Sequence, residues 1–189
     1  DPAERHKLIE YHKWKYSGKI YLPLMNPMTV KRTPVLMARV EGGIINSYNK
    51  YKRSPFGTYY MGGDMMSGSM GNYMNETIGL RGYKNGSIAG ANYDYAYSYM
   101  KASLELRYPL IFEQSTTVWV LGFAEAGNAW SDISRYNPFD LKRSAGVGVR
   151  VMMPMIGLLG LDWGYGFDRP NGYNERGGSN IHFVLGRDL

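Results

Sequence analysis

Strict alternation of apolar and polar residues marks the second half of the chain. In residues 98–109, "SYMKASLELRYP", the even positions from Met100 to Tyr108 are apolar or aromatic, whereas the odd positions from Lys101 to Arg107 are polar or charged. Successive side chains of a β-strand point to opposite faces, so this period of two predicts a strand. One face of that strand is charged and the other is apolar, so its two faces need very different neighbours.

The same alternation recurs along the chain. It is found in segments 11–22, 35–43, 117–130, 143–152, 160–168 and 180–189. The sequence therefore predicts seven strands and no convincing helix. Their lengths of roughly 9 to 14 residues exceed the usual five or six, and they fit the 9 to 11 residues that a tilted strand needs to cross a bilayer.

The connections between these strands alternate in length. "PLIFEQST" (109–116) and "MPMIG" (153–157) are short, whereas 46–97, 130–142 and 168–179 are long and rich in Gly, Asn, Asp and Tyr. Short turns at one rim and long loops at the other are typical of a transmembrane β-barrel. Aromatic residues near the strand ends would belong to its interfacial girdles: Trp14, Tyr108, Trp130, Trp163 and Tyr165.

A soluble up-and-down barrel or sandwich is the alternative, because its strands also alternate. There the apolar face points inward; the long strands and the glycines on the polar face favour the membrane. Bacterial single-chain barrels have even strand numbers, and an open edge in lipid leaves backbone groups unpaired. We therefore expect residues 1–189 to be the C-terminal part of a larger barrel.

Composition removes several classes of function. The 189 residues include no cysteine, which excludes disulfides and thiolate metal sites, and the three histidines have no ligand-like spacing. No Ser/His/acid set is legible, so we expect no catalytic residue, no metal, no cofactor and no enzyme. The net charge is +6, but the Lys and Arg residues are spread along the chain, and we expect no nucleic-acid partner.

Two motifs in a fixed order carry a resemblance to a known family. "MGGDMMSGSMGNYMNETIGLRGY" (61–83) ends in Leu80, Arg81, Gly82 and Tyr83, which fit [VIL]-R-G-[FY]. "GFAEAGNAW" contains the strand motif F-x-[DE]-x-G with Phe123, Glu125 and Gly127. With "ASLELRYPL" and the last three strands, they resemble the C-terminal half of the barrel in the BamA family of outer-membrane assembly factors.

The resemblance implies an all-β fold, an antiparallel transmembrane β-barrel of about 16 strands, of which this chain supplies about seven C-terminal ones. It also implies that the long loop at about 46–97 folds into the barrel lumen, where Arg81 pairs with Glu125 and Glu105. The alternation independently puts both glutamates on the polar face. The alternative is that Arg81 is an ordinary solvated loop residue.

The last strand has a second implied role. In the family it forms a weakly paired seam whose opening lets a substrate strand add by β-augmentation. The residues that would carry this role are Ile181, Phe183, Leu185, Gly186 and Leu189. The family usually ends in an aromatic residue, and here the last residue is Leu189. The alternative is a strand that only closes the barrel.

The expected function is therefore folding and insertion of nascent β-barrel proteins by an integral protein of a Gram-negative outer membrane. The resemblance implies accessory lipoproteins, outer-membrane lipid and lipopolysaccharide as further partners. A protein-translocating pore of the same superfamily, of the two-partner-secretion type, is the alternative because it shares the R-G-[FY] loop. A barrel enzyme or a passive porin ranks third.

Overall fold

The computed structural model describes residues 10–30, 32–48, 54, 56–64, 75–89, 96–113, 115–155 and 157–186. Its nine strands are β1 (His12–Pro23), β2 (Val35–Asn46), β3 (Tyr59–Met61), β4 (Glu76–Ile78), β5 (Ser98–Phe112), β6 (Thr117–Trp130), β7 (Lys142–Met153), β8 (Gly157–Gly166) and β9 (Gly178–Leu185). A 3₁₀ turn covers Ile133–Arg135. No helix in the part of the chain that the structure describes has the length and hydropathy to cross a membrane.

Seven strands form one sheet in the order β1-β2-β5-β6-β7-β8-β9, and every neighbouring pair is antiparallel. The predicted all-β fold with seven antiparallel strands is confirmed. Strands β3 and β4, which the alternation did not predict, form a separate two-stranded parallel sheet within the β2–β5 connection. Among the described residues, β1 and β9 are the edges, each with one hydrogen-bonded neighbour.

Several predicted boundaries are wrong by a few residues. Strand β5 continues to Phe112, with a register shift between Pro109 and Ile111, so the predicted turn at 109–116 shrinks to 113–116. A proline has no N–H to give to the ladder, and a bulge is one of the few places where a strand tolerates it. Strand β9 ends at Leu185, so Gly186 lies just beyond it, donating its N–H to the carbonyl of Leu158 at 2.8 Å.

The two faces of the sheet have opposite environments. Apolar side chains such as Leu104, Val147 and Ile181 are exposed, whereas Lys101 and Glu105 are buried. In a water-soluble domain the apolar face would be the covered one and the charged face would point to solvent. The arrangement does not fit the alternative of a soluble barrel, and an apolar outward face is typical of strands that face lipid.

The β2–β5 connection covers the polar face near the end of the sheet that carries the long loops. It is held by a cluster of buried residues from the connection and the sheet: Ile45, Tyr59, Met61, Ile78, Leu80, Tyr83, Ile88, Ala89, Ala96, Tyr99 and Ala129. Burial of a large apolar side chain contributes about 1.5–3 kcal/mol, so this cluster fixes the connection firmly. It thereby presents residues 80–83 to the centre of the polar face.

Candidate functional site

Leu80 fixes the start of the loop motif, residues 80–83. Its N–H and C=O bond to the C=O and N–H of Gly63, both at 3.0 Å, which ties the motif to the end of β3. Its side chain is buried, and it packs beside Gly127 of β6. A Cβ atom on Gly127 would lie 2.6 Å from the methyl group of Met61 and 3.0 Å from the carbonyl oxygen of Met100, so the glycine leaves room for the loop to pack closely against the wall here.

The Arg81 side chain is 0 % exposed and is surrounded by three carboxylates, called here the wall carboxylates, Glu105, Glu125 and Asp162. Nη2 lies 2.5 Å from Glu105 Oε1 and 2.7 Å from Glu125 Oε1, and Nη1 lies 3.2 Å from Asp162 Oδ2. The backbone N–H of Arg81 donates to Glu125 Oε2 at 2.9 Å. The guanidinium carbon lies 3.7 Å from the centroid of the Phe123 ring, so an aromatic face completes the pocket.

Each wall carboxylate also has a cation of its own on the sheet. These pairs, at 2.5 to 3.2 Å, are Lys101–Glu125, Arg107–Glu105 and Arg150–Asp162, and their basic members are called here the wall cations. The docked loop therefore adds a fourth positive charge to three existing ion pairs. Burial would lower the pKa of Arg81, but the carboxylates of Glu125 and Glu105 raise it above its ordinary value, so the guanidinium stays charged.

Gly82 lets the backbone of the motif lie directly on strands β7 and β8. Its φ of 83° is in the left-handed region. A Cβ atom at this position would lie 2.8 Å from the carbonyl carbon of Tyr165 and 2.9 Å from the amide nitrogen of Gly166. A Cβ on Gly164 would in turn lie 2.8 Å from the nitrogen of Gly82. Glycines on both surfaces thus allow the contact of backbone with backbone.

Tyr83 anchors the end of the motif. Its side chain is buried, and its hydroxyl donates to the carbonyl of Arg143 at 2.7 Å and accepts from the N–H of Asp168 at 3.3 Å. Burial raises the pKa of Tyr83 to about 12, so the hydroxyl keeps its proton and remains a donor. The anchor joins the motif to the start of β7 and to the loop that follows β8.

The structure brings two of the three sets of predicted site residues together. Leu80, Arg81, Gly82 and Tyr83 meet Glu105, Phe123, Glu125 and Gly127 on the polar face. Three residues of the last strand lie on the opposite, apolar face, Ile181, Phe183 and Leu185, with exposures of 65, 62 and 57 %. Gly186 follows β9, and Leu189 lies outside the described residues.

Sequence reasoning missed several residues that complete the site: Asn180, His182, Asp162 and the wall cations. The alternation placed Lys101, Arg150, Asp162 and His182 on polar faces, but it carried no signal for which of them would meet the loop. The described residues contain no cluster of three or more His, Cys, Asp or Glu that is arranged to hold a metal ion.

A second, smaller ionic contact joins the β2–β5 connection to strand β1. Glu76 of β4 bonds to two lysines of β1, with Lys13 Nζ 2.8 Å from its Oε2 and Lys15 Nζ on its Oε1. Lys13 also donates to the carbonyl of Gly57 at 2.8 Å. These bonds connect the edge strand β1 to the loop, on the side of the sheet opposite to β9.

Acidification should weaken this contact. Burial would raise the pKa of Glu76, but its bonds to Lys13 and Lys15 lower it below 4.5. A lowered pKa means that the stabilising contribution is complete above the ordinary value and disappears as the pH falls through the lowered one. We expect protease cleavage near residues 76–78 to accelerate as the pH falls below 4.5. In the Glu76→Gln variant, the rate of cleavage at this site should not accelerate as the pH falls. If the variant shows the same pH profile as the native protein, another group is responsible.

The fold and this site define an antiparallel β-sheet of the kind found in membrane β-barrels, with a docked R-G-Y loop on its polar face. Residues 6–189 match the family model of the Omp85 superfamily domain, and the chain belongs to that superfamily. No curated protein sequence matches the chain.

Among solved structures, the chain is similar to the crystal structure of BamA from Haemophilus ducreyi lacking POTRA domains 1–3. The two share 22 % sequence identity with a TM-score of 0.60, and the match covers 92 % of this chain and 34 % of that one. The resemblance to the C-terminal part of a BamA barrel is therefore confirmed at the level of the fold. The chain spans about a third of the length of that BamA chain.

Proposed function

We propose that this chain forms the C-terminal wall of an outer-membrane assembly factor, which folds and inserts β-barrel proteins at a lateral seam. The observation that carries the proposal is the loop motif, which lies on the polar face with Arg81 among the wall carboxylates. The strand β9 pairs with β8, and its outward side chains Ile181, Phe183 and Leu185 are exposed. Membership of the Omp85 superfamily supports the proposal, and so does the BamA-like fold.

The proposed mechanism follows from the backbone of β9. A strand edge in lipid leaves N–H and C=O groups that cost several kcal/mol each if unpaired, so an incoming strand that pairs with them is strongly stabilised. A slip by one residue would turn the outward side chains of that strand inward. The alternation of Ile181, His182 and Phe183 would therefore select the register of a substrate strand. No step involves chemical catalysis.

The remaining parts of the proposal concern the surroundings of the seam. The long loop at about 46–97 would occupy the lumen of a larger barrel of about 16 strands and keep it from acting as an open pore. The exposed apolar face would contact outer-membrane lipid and lipopolysaccharide. Nascent β-barrel proteins are the proposed substrates, and accessory lipoproteins are the proposed partners.

Disulfide trapping tests the seam. Residues 1–189 contain no cysteine, so a thiol introduced here reports one position within this segment. In the protein as it occurs in the outer membrane, Phe183→Cys should form a disulfide with a cysteine in the last strand of a β-barrel substrate that is arrested during assembly. Val147→Cys is the matched control, because this outward residue of β7 is similarly exposed but lies between two paired strands.

Equal trapping at both positions, or none at Phe183→Cys, would contradict the proposal. The alternative, a protein-translocating pore of the same superfamily, shares the docked loop motif and predicts a different partner. Disulfides at Phe183→Cys to an exported protein that is not a β-barrel would replace the assembly proposal by that alternative.

A further inference from the structure

The last strand holds both backbone polar groups of Gly82. The N–H of Gly82 donates to Nε2 of His182 at 2.9 Å, and its carbonyl accepts from Nδ2 of Asn180 at 3.0 Å. Asn180 and His182 lie on alternate positions of β9 and point to the polar face, because Ile181 between them is exposed on the other face. These two contacts are called here the β9 clamp.

The two side chains of the β9 clamp are held in the orientation that these hydrogen bonds require. His182 is buried, and because its Nε2 accepts a hydrogen bond, the imidazole is neutral with its proton on Nδ1. The amide of Asn180 also donates to the carbonyls of Gly177 and Gly178 at 2.9 and 3.3 Å. One side chain therefore ties the loop motif to the start of its own strand.

Neighbouring residues of the loop motif contact different parts of the sheet. Arg81 binds carboxylates on β5, β6 and β8, which all have paired strands on both sides. Gly82 binds β9, which in the described residues has a strand on one side only. The docked motif therefore gives the edge strand a second set of long-range contacts, in addition to its ladder with β8.

We propose that Asn180 and His182 are positioning residues through which the docked loop holds β9 on β8, so that release of Gly82 loosens the edge strand. The inference rests on the proposed function, because a loosened β9 is the state that exchanges its partner for a substrate strand. The loop motif then controls the seam mechanically, from the polar face, with no contact to the substrate.

Hydrogen exchange of the full-length protein in lipid nanodiscs, read by mass spectrometry, tests the β9 clamp. His182→Ala and Asn180→Ala should each speed the exchange of amides in β9 about tenfold. Losing a hydrogen bond to a buried group lowers the free energy of local opening, and the opening equilibrium rises by roughly that factor. Exchange in β6 should not change. His182→Gln keeps an acceptor and should behave like the native protein.

Two further variants separate the β9 clamp from a general weakening of the strand. Ile181→Ala removes an outward side chain of the same strand and should leave the exchange of β9 close to native. Asn180→Asp keeps the size but puts a carboxylate against the carbonyl of Gly82, and it should loosen β9 even if the alanine variants fail to fold.

Coupling to the loop is tested in an Arg81→Ala background. There the loop motif is already released, so His182→Ala should add no further exchange. Unchanged exchange in β9 for the Asn180 and His182 variants, or a full additional effect in the Arg81→Ala background, would overturn the β9 clamp.

The exchange experiment contains no substrate, so a negative result leaves strand pairing at the seam standing. A failure of trapping at Phe183→Cys with the exchange result intact overturns strand pairing instead and leaves the β9 clamp in place.

Discussion

Replacing Arg81 by glutamate should release the loop motif from the sheet and abolish most of the proposed assembly activity. The change places a fourth carboxylate among the three wall carboxylates, in a site that is 0 % exposed. An uncompensated buried charge costs about 3–5 kcal/mol, which exceeds the contribution of any single contact of the motif. Protease cleavage within residues 80–89 and the amount of folded outer-membrane barrels in cells would report the effect.

A charge-swap variant and a solvent-exposed control variant test this prediction. Glu125→Arg, combined with Arg81→Glu, should restore part of the lost docking, but only part, because the new arginine faces Lys101. Arg143→Glu reverses an arginine whose side chain is 68 % exposed and pairs with Asp168, and it should weaken docking far less than Arg81→Glu does. Full protection of the loop in Arg81→Glu would show that the ion pairs do not hold it.

Replacing Gly82 by alanine should have the second-largest effect, because two costs combine. The φ of 83° is unfavourable for alanine by about 1–2 kcal/mol. The new Cβ would also collide with the backbone of Tyr165 and Gly166, which cannot move without distorting β8. The motif should therefore leave its seat, as measured by protease cleavage and by thermal unfolding.

Gly157→Ala is the matched control for this experiment. Its φ of 88° is nearly the same, yet no atom lies within 4 Å of the new Cβ. It should therefore show the conformational cost alone, and the difference between the two variants measures the close approach of the loop. Equal effects of the two substitutions would mean that Gly82 is needed only for its backbone conformation.

The sheet was predictable from the sequence because each strand encodes its own period. The alternation between Met100 and Tyr108 identifies both the strand and the face that carries Glu105. Strand ends were less predictable: Pro109 suggested a turn, but the structure accommodates it in a bulge of β5. The alternation did not predict the short strands β3 and β4, because three residues are too few to show a period.

The contacts across the sheet were not predictable, because they depend on register. Asp162 and His182 are direct neighbours in the β8–β9 ladder, and both face the loop motif. Nothing within either strand indicates that pairing. The approach of Arg81 to Glu105 and Glu125 was anticipated through a family motif together with the alternation, whereas Asp162 belongs to no such motif.

The pairing of each wall carboxylate with its own wall cation has a consequence for the order of folding. Because Lys101, Arg107 and Arg150 already balance Glu105, Glu125 and Asp162, the sheet can close its inner surface before the loop arrives. Each wall carboxylate therefore has a cationic partner even before Arg81 is in place. The ion pairs of the sheet are therefore complete without the loop, and docking of the loop is electrostatically separable from formation of the sheet.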